Sequence, residues 1–364
     1  MRVAFDEQIF AIQRFGGISR QFAELAAAFI DDPALDVELL PLNAPVINRY
    51  VLDDARVRAR LAVRDARHEY VSLLRYFMRV QPRRGLDIMH NTFYLPHGLI
   101  QYPGARRIVT IHDMIPEMMP STRRRLDLLT LKKRYVERAD HVVCVSEATR
   151  RDLVRVYPSI KAPVTVVHHG VDKRFVPGAA PLPGLPERYV LFVGNRSQYK
   201  DAAVLFRAMA GLPGDLQDVH LVCVGGGPFT SAEERDHREL GLSGRVHQIG
   251  LVDAEMASAY GNAECFVFPS RFEGFGMPAL EAMACGTATV LADSTSLPEV
   301  GGDAAVYFAV GDEARLAAAL TEVLRDASLR QDLEERGLKR AHSFTWAKAA
   351  EQHVAVYREA LAVG

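Results

Sequence analysis

Short apolar runs bounded by Gly, Asp or Pro alternate along this chain with longer segments of helical period, and the alternation stops once and then restarts. Parallel strands need a crossover helix between them, so this alternation predicts α/β architecture with doubly wound sheets. In the first half the predicted strands are Arg2–Phe5, Val37–Pro41, Asp87–His90, Arg107–Ile111, His141–Val145 and Val164–His168, with helices starting near Gly17, Asp54, Thr122 and Ser146. Runs such as 142–145 are apolar at every position, as strands covered on both faces require. The interruption is the stretch 176–188, which holds four prolines and two glycines in thirteen residues. No helix or central strand tolerates that composition. With 364 residues the chain also exceeds what one core usually supports, so the domain boundary is placed in this stretch. Beyond it come strands at Tyr189–Val193, Val219–Val224, Arg245–Ile249, Glu264–Phe268 and Ala288–Leu291, a helix at Asp201–Ala210, and a helical tail at Glu313–Leu324, Leu329–Arg336 and Phe344–Ala362. Two such Rossmann-like domains are expected to face a cleft lined by the carboxyl ends of their strands, where open α/β sheets bind ligands.

Charge excludes some classes. The formal net charge of -1 argues against a nucleic-acid binder. A basic cluster does lie between Arg123 and Arg138, comprising Arg123, Arg124, Arg125, Lys132, Lys133, Arg134 and Arg138. It reads first as a solvated helix face and second as a peripheral contact with an anionic membrane. The opening residues read as a strand, not a signal peptide, and no apolar run approaches the ~18 residues a membrane span needs. Cys144, Cys223, Cys265 and Cys285 have no metal-ligand spacing and read as small hydrophobes in a reducing cytoplasm. A cytoplasmic location follows, with the inner membrane face as the variant that the basic cluster allows.

Four segments carry polar chemistry at strand ends. The first is F-V-F-P-S-R-F-E-G-F-G-M-P-A-L-E, residues 266–281. A strand ends, a loop with Gly274 and Gly276 follows, and Pro278 opens a helix whose first turn offers unpaired N–H groups. Glu273 and Glu281 bracket that turn; carboxylates repel phosphate but suit sugar or ribose hydroxyl pairs. The plainer reading of Glu281 is a first-turn acid favoured by the helix dipole. The second segment is Gly194-Asn195-Arg196-Ser197-Gln198-Tyr199-Lys200, where Arg196 and Lys200 match the needs of a diphosphate leaving group. The third is Thr110-Ile111-His112-Asp113, with His112 as a substrate contact that Asp113 would orient. The fourth is Gly16-Gly17-Ile18-Ser19, which permits close backbone approach before a helix. Neither it nor Gly225-Gly226-Gly227 completes a dinucleotide fingerprint. No metal motif appears, and the adjacent His168 and His169 read as lining or structural.

The carboxylate pair Glu273-x7-Glu281 in P-S-R-F-E-G-F-G-M-P-A-L-E-A-M-A-C-G resembles the signature of retaining glycosyltransferase family 4, whose members have the GT-B fold. Gly16-Gly17, His112, Val145-Ser146-Glu147, Gly170-Val171-Asp172, Arg196 with Lys200, Ser296-Leu297-Pro298-Glu299-Val300 and the final helix with Trp346 agree with it, nearly end to end. The resemblance implies a metal-independent hexosyltransferase that needs no cofactor and uses a nucleoside-diphosphate sugar as co-substrate. Glu273 would contact the donor sugar and Glu281 the ribose. Arg196 and Lys200 would hold the diphosphate, beside Asn195 and Gly274. Phe275, Gly276 and Met277 would line the pocket with backbone N–H groups, Gly16 and Gly17 would approach the phosphates, and His112 would touch the transferred sugar. The final helix would rejoin the first domain. That gives an acceptor domain of 1–175 plus 347–364, a donor domain of 187–346 and a linker at 176–186. The Gly-Gly-Ile-Ser-Arg start resembles members that use mannose or a deoxyhexose, which makes GDP-mannose the leading donor. The acceptor is a glycan, a lipid-linked sugar or a small molecule, with 43–84 expected to shape its choice. His169 stands where the family often has Asn.

Two other readings fit parts of this pattern. A nucleotide-sugar epimerase, or a phosphorylase-like enzyme, on the same scaffold would convert its substrate without a sugar acceptor. A non-catalytic nucleotide-sugar binding protein would bind donor without turnover. A glycoside hydrolase would have no need of Arg196 and Lys200.

Overall fold

The computed structural model describes residues 1–40, 46–61, 85–99, 102–119, 126–196 and 198–362, and the chain divides into two compact units, 1–170 with 346–364, and 171–345. In the first, β1 (Arg2–Asp6), β2 (Asp36–Leu40), β3 (Ile88–Asn91), β4 (Arg106–Ile111), β5 (His141–Cys144) and β6 (Val164–Val166) form one parallel sheet in the order β2-β1-β3-β4-β5-β6. In the second, β7 (Tyr189–Val193), β8 (His220–Val224), β9 (Val246–Ile249), β10 (Cys265–Phe268), β11 (Thr289–Ala292) and β12 (Ala305–Phe308) form another, in the order β12-β11-β10-β7-β8-β9. That second order is the Rossmann one, and its direction reverses between β7 and β10. The first sheet reverses between β1 and β3. Both sheets are doubly wound α/β, as the alternation predicts.

β12 was not among the predicted strands. Its sequence Ala-Val-Tyr-Phe follows Gly301-Gly302-Asp303, and it is only half buried because it closes the sheet edge. The proline-rich stretch belongs to the second unit, and the chain changes units ahead of it, at Gly170–Val171. Its carbonyls give the reason. The Ala180 oxygen accepts from Ser258 Oγ at 2.5 Å, and the Ala179 oxygen accepts from Asn262 Nδ2 at 3.0 Å. Proline removes donors but leaves carbonyls free to anchor the chain.

The final helix, Trp346–Ala362, packs in the first unit. Its Tyr357 ring meets Phe29 at 5.8 Å, and its hydroxyl lies 2.7 Å from His90 Nδ1. Phe5 of β1 packs edge-on against Phe22 of the helix Gly17–Ile30. Five imidazoles, His90, His112, His141, His169 and His353, are buried in this unit. Burial disfavours the charged form, so it depresses each of them, His112 and His353 to about 4. Asp113 pulls His112 the other way, more weakly.

The sign of the pH effect follows. A group whose folded pKa is depressed stabilises the fold above its unfolded value, near 6.5, and that contribution is lost as pH falls towards about 4. His112 and His353 each account for up to about 3 kcal/mol across that window. The denaturation midpoint is therefore expected to fall between about pH 6.5 and 4, and to fall less steeply in a His353→Gln variant. Urea titrations at stepped pH check this; identical slopes in the two proteins would refute it.

Candidate functional site

Where the second sheet reverses, the loops after β7 and β10 lie side by side. Lys200 closes the short 3-10 turn Gln198–Lys200 that follows β7. Its Nζ donates to Glu273 Oε1 at 2.6 Å and stands 4.6 Å over the Phe268 ring. Both side chains are about nine-tenths buried, at 12% and 10% exposure. A charge pair so placed is costly to break, roughly 3–5 kcal/mol when one partner is removed.

The loop that carries Glu273 is fastened from the far end of β11. The Glu273 amide donates to Thr295 Oγ1 at 3.0 Å. Ser296 Oγ lies 3.0 Å from the Glu273 carbonyl and 2.8 Å from that of Phe275. Gly276 then turns the chain into the helix Met277–Ala284 with φ +108°, and a Cβ there would stand 2.8 Å from Leu297 Cδ2. Only glycine meets both conditions. The helix starts at Met277, so Pro278 is its second residue, and Glu281 is its fifth. Glu281 therefore opens the second turn, not the first, where the dipole has largely faded. What holds it is Tyr260, whose hydroxyl donates to Glu281 Oε2 at 2.9 Å.

Arg196 is placed differently from Lys200. Its Nε donates to Glu233 at 2.6 Å, Nη1 to the Gly225 carbonyl at 3.0 Å, and Nη2 to the carbonyls of Gly227 and Pro228 at 3.0 Å. The guanidinium also lies over the Phe229 ring. Four of its five N–H groups are thus engaged. This explains the three-glycine run: all three have positive φ, and a Cβ on Gly226 would lie 2.8 Å from Arg196 Nη1. Glu233 is readable in the sequence as the acid of a Thr230-x-x-Glu capping box, and the box is formed in full. Asn195 beside it is exposed. Removing the Glu233 charge leaves a buried guanidinium without its counter-ion. Glu233→Gln is expected to cost about 1–3 kcal/mol and to lower the melting temperature by several degrees. An unchanged melting curve would show that the clamp is idle.

In the first unit, His112 follows β4, and no hydrogen bond of ordinary geometry reaches either ring nitrogen among the described residues. Its ring packs against Phe22 and Tyr94. Asp113 does not orient the imidazole as the sequence suggested; its Oδ1 accepts from the Ile115 amide at 3.0 Å. The turn is held instead by Lys132, which the sequence placed on a solvated face. Lys132 is buried, donates to the Asp113 carbonyl at 3.0 Å and pairs with Glu117 at 2.9 Å. Gly16 and Gly17 stand where the helix Gly17–Ile30 begins, with Gln13 Oε1 accepting from Ser19 N at 3.2 Å. His169 packs on Trp346.

Arg123, Arg124 and Arg125, Ser197, and most of 43–84 lie outside the described residues. Arg56 and Arg60 pair with Asp31 and Asp36. All four cysteines are free and buried, and burial pushes the Cys223 and Cys285 thiols up to about 12. Among the described residues, no helix is long and apolar enough to cross a membrane, and no three His, Cys, Asp or Glu side chains are grouped to hold a metal ion.

Comparison with known proteins matches both units. Residues 15–175 match the family described as Glycosyltransferase Family 4, and residues 181–340 match Glycosyl transferases group 1. The chain is 30% identical to the O-antigen chain mannosyltransferase B of Escherichia coli over 73% of its own length and 72% of that protein's. It is also 30% identical to the MMP α-(1→4)-mannosyltransferase of Mycolicibacterium hassiacum, over 77% and 72% respectively. The structure superposes on sucrose-phosphate synthase of Thermosynechococcus elongatus with a TM-score of 0.74 over the full length of both chains, at 23% identity. The chain belongs to glycosyltransferase family 4, and its two doubly wound α/β units are those of the GT-B fold.

Proposed function

We propose that this glycosyltransferase moves a hexose, with mannose the leading candidate, from a nucleoside-diphosphate sugar to an acceptor hydroxyl, with retention of configuration and without a metal ion. The observation that carries the reading is the Lys200–Glu273 pair at the strand ends where the second sheet reverses, beside the opening of the helix Met277–Ala284. A cation, a carboxylate and a helix N-terminus at one place suit a ligand that joins a polyhydroxylated sugar to a diphosphate. Lys200 neutralises the departing diphosphate, and the first-turn N–H groups with the Phe275, Gly276 and Met277 backbone receive its oxygens. Glu273 accepts from hydroxyls of the sugar. Glu281, fixed on one oxygen by Tyr260, accepts from the ribose. Arg196 serves the same end through the glycine loop that it holds.

In the first unit, His112 is neutral at physiological pH because burial depresses it to about 4. It is too weak a base to deprotonate an alcohol, so its role is hydrogen bonding to a hydroxyl ligand. The proton needs another acceptor. In the reaction the C1–O bond to the diphosphate breaks, the acceptor oxygen bonds to C1 on the same face, and its proton passes to the departing phosphate oxygen. The mannosyltransferase relatives support the sugar. The α-linkage in one of their names supports retention, since nucleoside-diphosphate mannose is itself α-linked. An O-antigen chain mannosyltransferase among the relatives also supports a surface glycan as the acceptor.

A thermal-shift screen against GDP, UDP, dTDP and ADP tests the donor site. GDP is expected to raise the melting temperature equally with magnesium and with a chelator. At a hundredfold excess over Kd the stabilisation is about 2.7 kcal/mol. Lys200→Ala should abolish the shift while the protein still unfolds cooperatively. No shift with any of the four would remove the diphosphate reading, and a shift that needs magnesium would remove the metal-free one.

A further inference from the structure

Among the described residues, two that are not glycine have left-handed backbone, Asp201 at φ +50° and Thr295 at φ +47°. Both bond to the same short segment after β10. Asp201 Oδ2 accepts from Arg271 Nε at 2.7 Å, and Thr295 Oγ1 accepts from the Glu273 amide at 3.0 Å. Asp visits this region without great difficulty; a β-branched residue does not. Such a conformation persists only where its surroundings over-determine it, and it points to a use.

The surroundings of Thr295 are the two serines beside it. Ser294 Oγ donates to the Arg271 carbonyl at 2.5 Å, and Ser296 Oγ is shared between the carbonyls of Glu273 and Phe275. Three consecutive hydroxyls therefore hold the segment 271–275 along its length. If Thr295 relaxed to negative φ, its own hydroxyl and one or both neighbours would leave the segment. Serines satisfy carbonyls; only Thr295 supplies an acceptor, and what it receives is the N–H of Glu273 itself. That bond fixes the backbone from which the Glu273 carboxylate reaches Lys200.

We propose that Thr295 is a positioning residue for Glu273: its hydroxyl, held in a strained left-handed turn by Ser294 and Ser296, takes the Glu273 amide proton and so aims the carboxylate at the donor sugar. This rests on the reading of Glu273 as the sugar contact.

Thr295→Ser and Thr295→Ala differ by one hydroxyl and neither is β-branched, so the pair isolates the bond. The assay is acceptor-free release of nucleoside diphosphate from whichever of GDP-mannose, UDP-glucose, UDP-N-acetylglucosamine or dTDP-rhamnose the wild type turns over fastest. Thr295→Ser is expected to stay within about threefold of wild-type kcat and Thr295→Ala to lose about tenfold or more. The thermal shift by the matching nucleoside diphosphate should be the same in both, because that ligand lacks the sugar. Combining Thr295→Ala with Glu273→Gln should cost no more than Glu273→Gln alone. A purely structural role would lower the melting temperature and add its cost to that of Glu273→Gln. Full activity of Thr295→Ala, or additive losses, overturns the proposal and leaves the donor reading intact. Full activity of Glu273→Gln, or a wild type that turns over none of the four donors, overturns both.

Discussion

A buried ammonium against a buried carboxylate is the constraint that organises the second unit. Lys200 and Glu273 are far apart in sequence and reach 2.6 Å only because β7 and β10 are neighbours in the sheet. Neither charge would tolerate that burial alone. The pair thus depends on the strand order, and the loops at that point depend on the pair. Gly276, Thr295 and Ser296 then fix the direction from which the carboxylate arrives. Loops held by several such bonds are preorganised, as the proposed electrostatic role requires. A bound diphosphate and sugar would replace one strong partner for each charge with another, without having to order the loops first.

The two cations that look alike in the sequence are not alike in the fold. Lys200 has a compact head with three donors, one of which is shown engaged with Glu273. Arg196 has a planar fork of five, four of them spent on Glu233 and on the carbonyls of the loop after β8. A fork suits several fixed acceptors, and a run of positive-φ glycines presents them on one side. Arg196 therefore stitches two strand ends together, while Lys200 is the cation to which the proposed function gives the diphosphate.

The sheets and the two-domain plan were legible because their signal is periodicity, which is local. So were Glu273, Lys200 and Gly276, because strand-end loops show in the sequence as a run of apolar residues giving way to Gly and charge. β12 was missed although Gly301-Gly302 precede it and Gly311 follows, because its four residues, apolar throughout, are too few to mark a period of their own. Tyr260 and Lys132 carried no such mark. Tyr260 reaches Glu281 from another helix, and Lys132 sat in a run of basic residues that averaged to a solvated face. Thr295 lay within the Ser-Leu-Pro-Glu neighbourhood that the sequence singles out, yet its role is a matter of φ, and no residue pattern states a dihedral angle. Interactions fixed by tertiary packing are invisible to a local reading unless the residue types force them.

The same topology is used in opposite ways by the two sheets. In the first unit the reversal between β1 and β3 is filled from within. Asp6 accepts from Gln8 Nε2 at 2.5 Å, Asn91 Nδ2 at 2.6 Å and the Thr92 amide at 3.0 Å, and Arg107 donates to Asn91 at 2.7 Å and to the Gly98 carbonyl at 2.6 Å. Burial raises the Asp6 carboxyl, and the bonds from Thr92, Asn91 and Gln8 lower it only in part, as in a closed structural network. A carboxylate whose lone pairs are all met has nothing left for a ligand. Both ring nitrogens of His112, one strand further on after β4, lack a hydrogen bond of ordinary geometry among the described residues, as do both polar atoms of the Gln21 side chain. In the second unit the reversal carries the charge pair. Strand order alone therefore does not locate a site; the polar groups left to be satisfied at each strand end do.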